Sequence, residues 1–475
     1  MTDDLCFLSA AELRARFARR ELSPVEVTRA VLARIDRLQP VLNCFITICA
    51  DDALGESRRA EAAMMRGDTT GLLHGIPYTA KDLVNTRGVR TTFGSLLFRD
   101  HVPSEDAVAI ARLRENGAIL LGKTTTPEFG TKALTDAPLF GRTRNAWSAA
   151  HTSGGSSGGA AVCVAAGLGP LAVATDGGGS TRIPAACNGV AGLKQSNGVI
   201  PHSQAQDAFG NYTYVTPMTR TVMDTALMLQ AMAGPDDSDP WSIGLPVPDY
   251  LAAARAEGDL AGTRMLFCAA PPGRPIAAAV RAAFDAGLRR LADLGADLEE
   301  MPGEGFEVEP LWRVINHTTW RSRFAEMVAK SGNQMSPSLI RQVESLSPVS
   351  GADYQQAMFA RATLFRRVQS LLRGADFLVT PTLLRPALPI DQDLFDPIEI
   401  DGAVLSDLRP SWFPWTMPFN LTGHPAISLN CGFSPDGLPI GLQLIARFRA
   451  EPALLRAAAL FESSADLLSH WPPGI

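Results

Sequence analysis

Residues 151–182 read HTSGGSSGGAAVCVAAGLGPLAVATDGGGSTR and place two runs of glycine and serine on either side of an apolar segment. The apolar segment predicts a core helix over residues 158–166 and a buried strand over 171–174. The first run is too short for a flexible linker and leads directly into this segment. Consecutive glycines in the second run let backbone N–H groups converge on one point, which favours an anion there. A serine beside that point suits a nucleophile with its oxyanion hole, although a plain turn with an N-cap serine explains the run about as well.

Strand and helix patterns alternate on both sides of this stretch. Short apolar strands separated by helices are typical of an α/β sheet covered on both faces. Two capping-box patterns, Ser9 with Glu12 and Ser23 with Glu26, predict helix starts near the N-terminus. The further segments are predicted as strands at 75–80, 118–121, 377–382 and 426–429 and as helices at 107–115, 276–298, 337–372 and 451–468.

Composition narrows the class of protein. The chain has 475 residues, which is enough for a large core. It contains 43 Lys plus Arg against 49 Asp plus Glu, and the basic residues form no stripe along the sequence. We therefore do not expect nucleic-acid binding. The acidic N-terminus and the lack of a long apolar run argue against a signal peptide and a membrane span. Seven scattered cysteines without CxxC pairing indicate reduced thiols, neither a disulfide framework nor a zinc site. We therefore expect a cytoplasmic protein.

Lysine is rare in a chain that otherwise uses arginine. Arginine stays protonated at any usable pH, whereas a buried lysine can lose its proton and act as a base. For any single lysine, however, the simpler explanation of its presence is the compositional bias of the chain, without a catalytic role. The lysines are Lys81, Lys123, Lys132, Lys194 and Lys330.

Two other motif matches fit less well. Residues 154–158 match the G-x-S-x-G nucleophile elbow of α/β-hydrolases, which requires a histidine later in the chain. Residues 117–124 match the phosphate-binding G-x-x-x-x-G-K-[ST] pattern, but the middle of this segment is itself a predicted strand, so we interpret the match as chance. Four histidines follow the serine run without a persuasive context, and these are His202, His317, His424 and His470.

Taken together, these segments resemble the amidase signature family. The resemblance begins with GGSSGG at residues 154–159 and DGGGS at 176–180, with Lys81 upstream of both. Ser156 and Ser180 are 24 positions apart. Matching segments span most of the chain, and they are residues 122–130, 141–147, 189–194, 418–423 and 437–443.

The resemblance implies a Ser–cis-Ser–Lys triad, carried over by position. Ser180 would be the nucleophile, Ser156 the bridging serine after a cis peptide bond from Gly155, and Lys81 the base. No metal or cofactor is implied. The backbone N–H groups that would hold the oxyanion are those of Gly177, Gly178, Gly179 and Ser180. The residues that would flank the nucleophile are Thr175, Asp176 and Arg182.

The resemblance also implies the architecture, an α/β fold with a single large mixed β-sheet sandwiched by helices. One domain would cover residues 1–475, with a catalytic core at about 70–210 and a return segment at about 375–450. A helical region at about 275–372 would lie on the substrate side. Residues 234–248, rich in Pro and Asp, are the best linker candidate.

The implied activity is hydrolysis of the C–N bond of a small amide-like substrate, with aryl amides, carbamates and esters as related carbonyl substrates. Phe129, Gly130 and Thr131 are expected near the acyl site, whereas Trp412 and Trp415 either form a pocket wall or pack in the core. We expect an apolar or aryl amide, and a homodimer is compatible with the sequence.

Three alternatives remain open. The first is the glutaminase component of a tRNA amidotransferase, which usually has Asp-Thr where this chain has Asp176-Gly177. The second is a non-catalytic binding protein on the same fold. The third is an α/β-hydrolase, which would depend on one of the histidines.

Overall fold

The computed structural model describes residues 5–68, 70–255, 257–345 and 348–475. The strands in chain order are β1 (Phe45–Ile48), β2 (Pro77–Lys81), β3 (Ile119–Thr124), β4 (Asp136–Ala137), β5 (Gly141–Arg142), β6 (Leu171–Asp176), β7 (Ala191–Lys194), β8 (Tyr214–Thr219), β9 (Arg264–Phe267), β10 (Asp297–Glu300), β11 (Phe377–Pro381), β12 (Ile398–Ile400), β13 (Ala403–Leu405), β14 (Ala426–Phe433) and β15 (Pro439–Ala446). The helices are α1 (Ala10–Ala18), α2 (Pro24–Leu42), α3 (Ala50–Arg66), α4 (Val108–Glu115), α5 (Gly158–Ala165), α6 (Arg182–Asn188), α7 (Val222–Met232), α8 (Tyr250–Ala254), α9 (Ala278–Asp293), α10 (Glu309–Ser331), α11 (Pro337–Glu344), α12 (Gly351–Leu371), α13 (Leu408–Trp412), α14 (Met417–Thr422) and α15 (Glu451–Ser463).

Eleven of these strands form one mixed sheet in the order β1-β3-β2-β6-β8-β7-β14-β15-β11-β9-β10. β2 is parallel to both β3 and β6, while the strands from β8 to β15 in this order pair antiparallel. Helices flank the sheet, which confirms the predicted mixed α/β fold. None of the helices in the described ranges is both long and apolar enough to cross a membrane.

The centre of the sheet is buried because its strands are apolar and a small-residue helix packs on them. All residues of β2, β3 and α5 are buried. Gly159 lets α5 approach closely, since a Cβ there would lie 2.3 Å from Thr125 Oγ1. The glycines of the first run therefore serve close packing at a helix start, and the run is not a linker.

Local predictions near the N-terminus are confirmed, and those in the second half need correction. Both capping boxes are present, at Ser9 and Ser23. The helix predicted over 276–298 is wrong beyond residue 293, because the chain turns at Gly295 with φ +95° and continues as β10. The segment 234–248 does not separate two sheets, since β8 before it and β9 after it belong to the same sheet.

The topology gathers particular residues at one edge of the sheet. β2 and β6 lie side by side and parallel, so their carboxyl ends meet there. Lys81 is the last residue of β2, and Thr175 and Asp176 end β6. Ser157 directly precedes the first residue of α5, and the chain continues from α5 into β6. The carboxyl edge of parallel strands is where α/β proteins commonly place ligand sites.

Candidate active site

A buried lysine surrounded by hydroxyl groups forms the centre of the site. Lys81 is 0% exposed. Its Nζ lies 2.7 Å from Ser156 Oγ, 2.8 Å from Ser157 Oγ and 2.9 Å from Thr175 Oγ1. Burial lowers the pKa of Lys81 well below its usual value, and the negative charge of Asp176 opposes that effect only in part.

The hydrogen atoms of the three hydroxyls are used differently. Ser157 Oγ donates to the Thr175 carbonyl at 3.1 Å, so it can only accept from Lys81. The Ser156 and Thr175 hydroxyls have no other acceptor among the described residues. Either can therefore donate to the lone pair of a neutral amine, which makes the hydrogen-bonding pattern compatible with an uncharged Lys81.

The two predicted serines share one cavity. Ser180 and Ser156 both line a cavity of about 250 Å³, together with Thr175 and Gly177. The peptide bond between Gly155 and Ser156 is cis, as predicted. Ser157 N–H donates to the Ser180 carbonyl at 3.1 Å and ties the two glycine-rich runs together.

Ser180 follows a loop in which backbone N–H groups remain without partners. The N–H groups of Gly177, Gly178 and Ser180 donate to no other described residue. Gly179 differs, because its N–H donates to Asp176 Oδ1 at 2.7 Å. Its predicted place among the oxyanion donors therefore needs correction: in this structure that N–H is already bound to a carboxylate.

Other groups hold this loop in place from outside. Trp312 Nε1 donates to the Gly177 carbonyl at 3.1 Å, and Thr416 Oγ1 donates to the Gly178 carbonyl at 2.7 Å. With both carbonyls occupied by protein donors, the adjoining N–H groups are kept in a fixed orientation.

Asp176 and Arg182 form a fully buried ion pair behind the loop, with Arg182 Nε 3.0 Å from Asp176 Oδ2. Burial acts to raise the pKa of Asp176, but the Arg182 charge and several hydrogen bonds outweigh it and lower the pKa to about 2. Asn420 Nδ2 donates to Asp176 Oδ1 at 2.8 Å, and Arg182 Nη1 donates to Gln443 at 2.7 Å. The pair is thus satisfied on every side and anchors the loop.

The sequence reasoning missed Asn420 and Gln443 as parts of this network, although both lie in segments that carried the family resemblance. The sequence signal that could have indicated them is an amide side chain in an otherwise apolar segment. These segments are PFNLTG at 418–423 and GLPIGLQ at 437–443. Polar side chains placed there need partners, and the nucleophile loop supplies them.

The cavity wall includes the predicted acyl-site residues Phe129, Gly130 and Thr131. Gly130 has φ +72°, and a Cβ there would lie 2.7 Å from Leu83 Cδ1 and 3.3 Å from Ser156 Oγ. Glycine at this position therefore keeps the wall open beside the bridging serine.

The aromatic part of the wall differs from the prediction. Trp412 and Trp415 do not line the cavity; they are fully buried in the core, and their indole N–H groups donate to the carbonyls of Arg385 and Ala269. Phe413, between them, does line it. α10 lies within the helical region expected on the substrate side, but its individual lining residues were not predicted, and these are Trp312, Asn316, Thr319, Trp320 and Arg323.

The histidines of the described ranges lie apart from the two serines in their hydrogen bonding. No histidine there hydrogen-bonds to Ser156 or Ser180, although His202 lines the cavity. Burial lowers the pKa of His202 to about 4. No group of three or more His, Cys, Asp or Glu side chains in the described part of the chain could hold a metal ion.

Comparison with known proteins identifies the family of this chain. The Amidase family model matches residues 26–455. An acylamidase from Rhodococcus erythropolis is 37% identical over 466 residues, covering 97% of this chain and 96% of the relative. A glutamyl-tRNA(Gln) amidotransferase component from Acidothermus cellulolyticus is 35% identical, covering 97% of this chain and 95% of the relative.

Among solved structures, a bacterial aryl acylamidase of the amidase signature family superimposes with a TM-score of 0.88 at 27% identity. The match covers 97% of this chain and 96% of that chain. The matches to the sequence relatives and to the structural neighbour each span nearly the whole chain. The protein described here is therefore an amide hydrolase acting on C–N bonds other than peptide bonds, and its chain belongs to the amidase family.

Proposed function

We propose that this protein hydrolyses apolar or aryl amides through an acyl-enzyme on Ser180, with Ser156 as the bridging serine and Lys81 as the base. The observation that carries the proposal is the buried Lys81 amine, 2.7 Å from Ser156 Oγ, in a cavity that Ser180 also lines. A neutral amine in this position can accept a proton, whereas a protonated one cannot.

The proton moves along the hydroxyls in this proposal. Ser180 Oγ attacks the amide carbonyl carbon and gives its proton to Ser156 Oγ, while Ser156 gives its own proton to Lys81. The proton then returns by the same route to the leaving nitrogen, the C–N bond breaks, and an amine departs. Water next attacks the ester, which releases a carboxylic acid and restores the Ser180 hydroxyl.

The unpartnered N–H groups of Gly177, Gly178 and Ser180 support an oxyanion hole in the same loop. Each such donor typically contributes ~3 kcal/mol to stabilising the transition state. The Asp176–Arg182 pair and the bonds from Trp312 and Thr416 hold the loop that carries these groups in place before substrate arrives. The donors therefore need no reorganisation during the reaction.

The aromatic wall supports an apolar or aryl substrate. Phe129, Trp312, Trp320 and Phe413 line the cavity and offer ring surfaces on which an aryl group can pack. An acylamidase relative and an aryl acylamidase neighbour agree with this substrate class.

A glutaminase that works within a tRNA amidotransferase is the second candidate, because a component of that enzyme matches this chain at 35% identity over most of its length. Free glutamine is small, and it carries an ammonium and a carboxylate group on its α-carbon. The ring surfaces of the cavity do not complement it, so we favour the aryl amide.

The test is intact mass spectrometry after exposure to a fluorophosphonate, on the wild type and on Ser180→Ala. We expect a single adduct on the wild type and none on the variant. Hydrolysis of acetanilides and of glutamine is then followed on both proteins. Labelling that persists in Ser180→Ala would contradict the assignment, and turnover of glutamine alone would favour the second candidate.

A further inference from the structure

One face of α10 forms part of the cavity wall. Its lining residues stand at the spacing i, i+4, i+7, i+8 and i+11, which places them along one side of a helix. They line the cavity that also holds Ser156 and Ser180. In chain order they are Trp312, Asn316, Thr319, Trp320 and Arg323.

Three polar groups on this face form hydrogen bonds within the protein, whereas one buried group does not. Trp312 Nε1 donates to the Gly177 carbonyl, and Thr319 Oγ1 donates to the Ile315 carbonyl at 3.0 Å. Asn316 Oδ1 accepts from the Tyr212 hydroxyl at 2.8 Å. Asn316 Nδ2, however, is buried without a hydrogen-bond partner, on a side chain that is only 5% exposed.

The Tyr212 bond sets the orientation of this amide. Because Oδ1 is held by Tyr212, the two N–H bonds of Nδ2 are directed away from it. A buried donor without an acceptor costs free energy, so native proteins seldom leave one unless a ligand or water completes it. Since Asn316 lines the substrate cavity, a substrate atom can supply the missing acceptor.

We propose that Asn316 is a specificity-determining residue that donates a hydrogen bond to an oxygen of the substrate other than the scissile carbonyl. The enzyme then selects aryl amides that carry such an acceptor oxygen on a ring. This inference rests on the proposed function. Arg323, two turns further along the same face, forms no ion pair among the described residues, so a carboxylate oxygen is included with a carbonyl oxygen as a candidate acceptor.

The experiment compares acetanilides and benzamides that carry a para-acetyl, para-carboxylate or para-isopropyl group. Acetyl and isopropyl have similar shapes, but only acetyl offers an acceptor. The measured quantity is the ratio of kcat/KM for the acceptor substrate to that for the isopropyl substrate, within each protein. Because ring electronics affect every variant alike, the change in this ratio between proteins isolates the hydrogen bond.

We expect the ratio to fall about tenfold in Asn316→Leu, the size of one lost buried hydrogen bond. Tyr212→Phe, which frees the amide to rotate, should lower the ratio in the same direction and provides a second variant should Asn316→Leu not fold. Thr318→Val is the control on the same helix, where the ratio should stay at the wild-type value because the Thr318 hydroxyl donates to the Val314 carbonyl and its side chain does not line the cavity. If the kcat/KM ratio to the isopropyl substrate is larger for the para-carboxylate substrate than for the para-acetyl substrate, the preferred acceptor is an anionic oxygen.

A ratio that is the same in wild type and both variants, in both substrate series, would overturn the inference. The proposed function is tested separately, with Ser180→Ala on the isopropyl substrates. Loss of turnover there with an unchanged Asn316 ratio refutes only the role of Asn316. Turnover that survives Ser180→Ala refutes the proposed function itself.

Discussion

Lys81 and Lys123 lie at the ends of neighbouring parallel strands, β2 and β3, and both are fully buried with three oxygen atoms around the amine. The oxygens differ in what they can do. Lys123 contacts the Val84 carbonyl and the hydroxyls of Thr86 and Thr91. Both of those hydroxyls donate to backbone carbonyls, so all three partners of Lys123 can only accept.

Three acceptors suit an ammonium group, which has three hydrogens to give. Burial lowers the pKa of Lys123 to about 8, with the Asp82 charge opposing it, so this lysine stays mainly protonated at pH 7. Lys81 is different because Ser156 and Thr175 can donate to it. The comparison teaches that burial alone does not make a base; the partners must also be able to donate.

Replacing each lysine by methionine tests this contrast with the largest expected effect. Lys81→Met removes the proposed base and should lower kcat for an anilide by about 10³-fold, within the usual range for general-base catalysis. Lys123→Met should keep kcat near the wild-type value but lower the free energy of unfolding by about 2 kcal/mol, because buried acceptors lose their donor. Steady-state kinetics and urea unfolding measure the two effects. Equal losses of kcat in both variants would contradict the contrast.

Ser156 and Ser157 allow a second comparison within the site, since the hydroxyls of both residues contact the Lys81 amine. Ser156→Ala should lower kcat about 10²-fold or more, because the proton path between Ser180 and Lys81 is broken. Ser157→Ala removes a hydroxyl whose hydrogen is bound to the Thr175 carbonyl, so its loss should be at least tenfold smaller. Single-turnover acylation rates would show this order, and the reverse order would place Ser157 in the path.

The smallest expected effect concerns stability at alkaline pH. The unfolded state has a lysine pKa of about 10.4, and the folded pKa of Lys123 is about 8, so between these values the unfolded state binds more protons. Stability from this group therefore rises with pH across that window. We expect the unfolding free energy of wild type relative to Lys123→Met to increase from pH 8 to pH 10, measured by urea unfolding. A difference that stays constant or falls over this range would mean that Lys123 keeps its charge in the folded state.

The sequence supported the central strands well because β2, β3 and β6 are short apolar runs between glycines and polar turns. It did not reveal β8, whose segment YVTPMT contains Pro217, a residue that argues against a strand. The helix predicted past residue 293 failed for a local reason, since Gly295 ends it.

For the site, motif resemblance located the serines and Lys81, while tertiary contacts decided the rest. The Gly179 N–H forms a hydrogen bond with Asp176, and Trp412 is buried in the core. Both features depend on how the folded chain packs around these residues. The same holds for α10, whose cavity face pairs with Tyr212 more than a hundred positions earlier. Local patterns carry no information on such pairings.

The most direct test of the proposed mechanism is the protonation state of Lys81 in the folded enzyme. The chain has only five lysines, so a protein labelled with ¹³C and ¹⁵N lysine gives a simple NMR spectrum, in which Lys81→Met and Lys123→Met assign two signals. At pH 7 we predict a neutral amine for Lys81 and an ammonium group for Lys123. An ammonium signal from Lys81 at a pH where the enzyme turns over anilides would contradict the proposed role of Lys81 as the base.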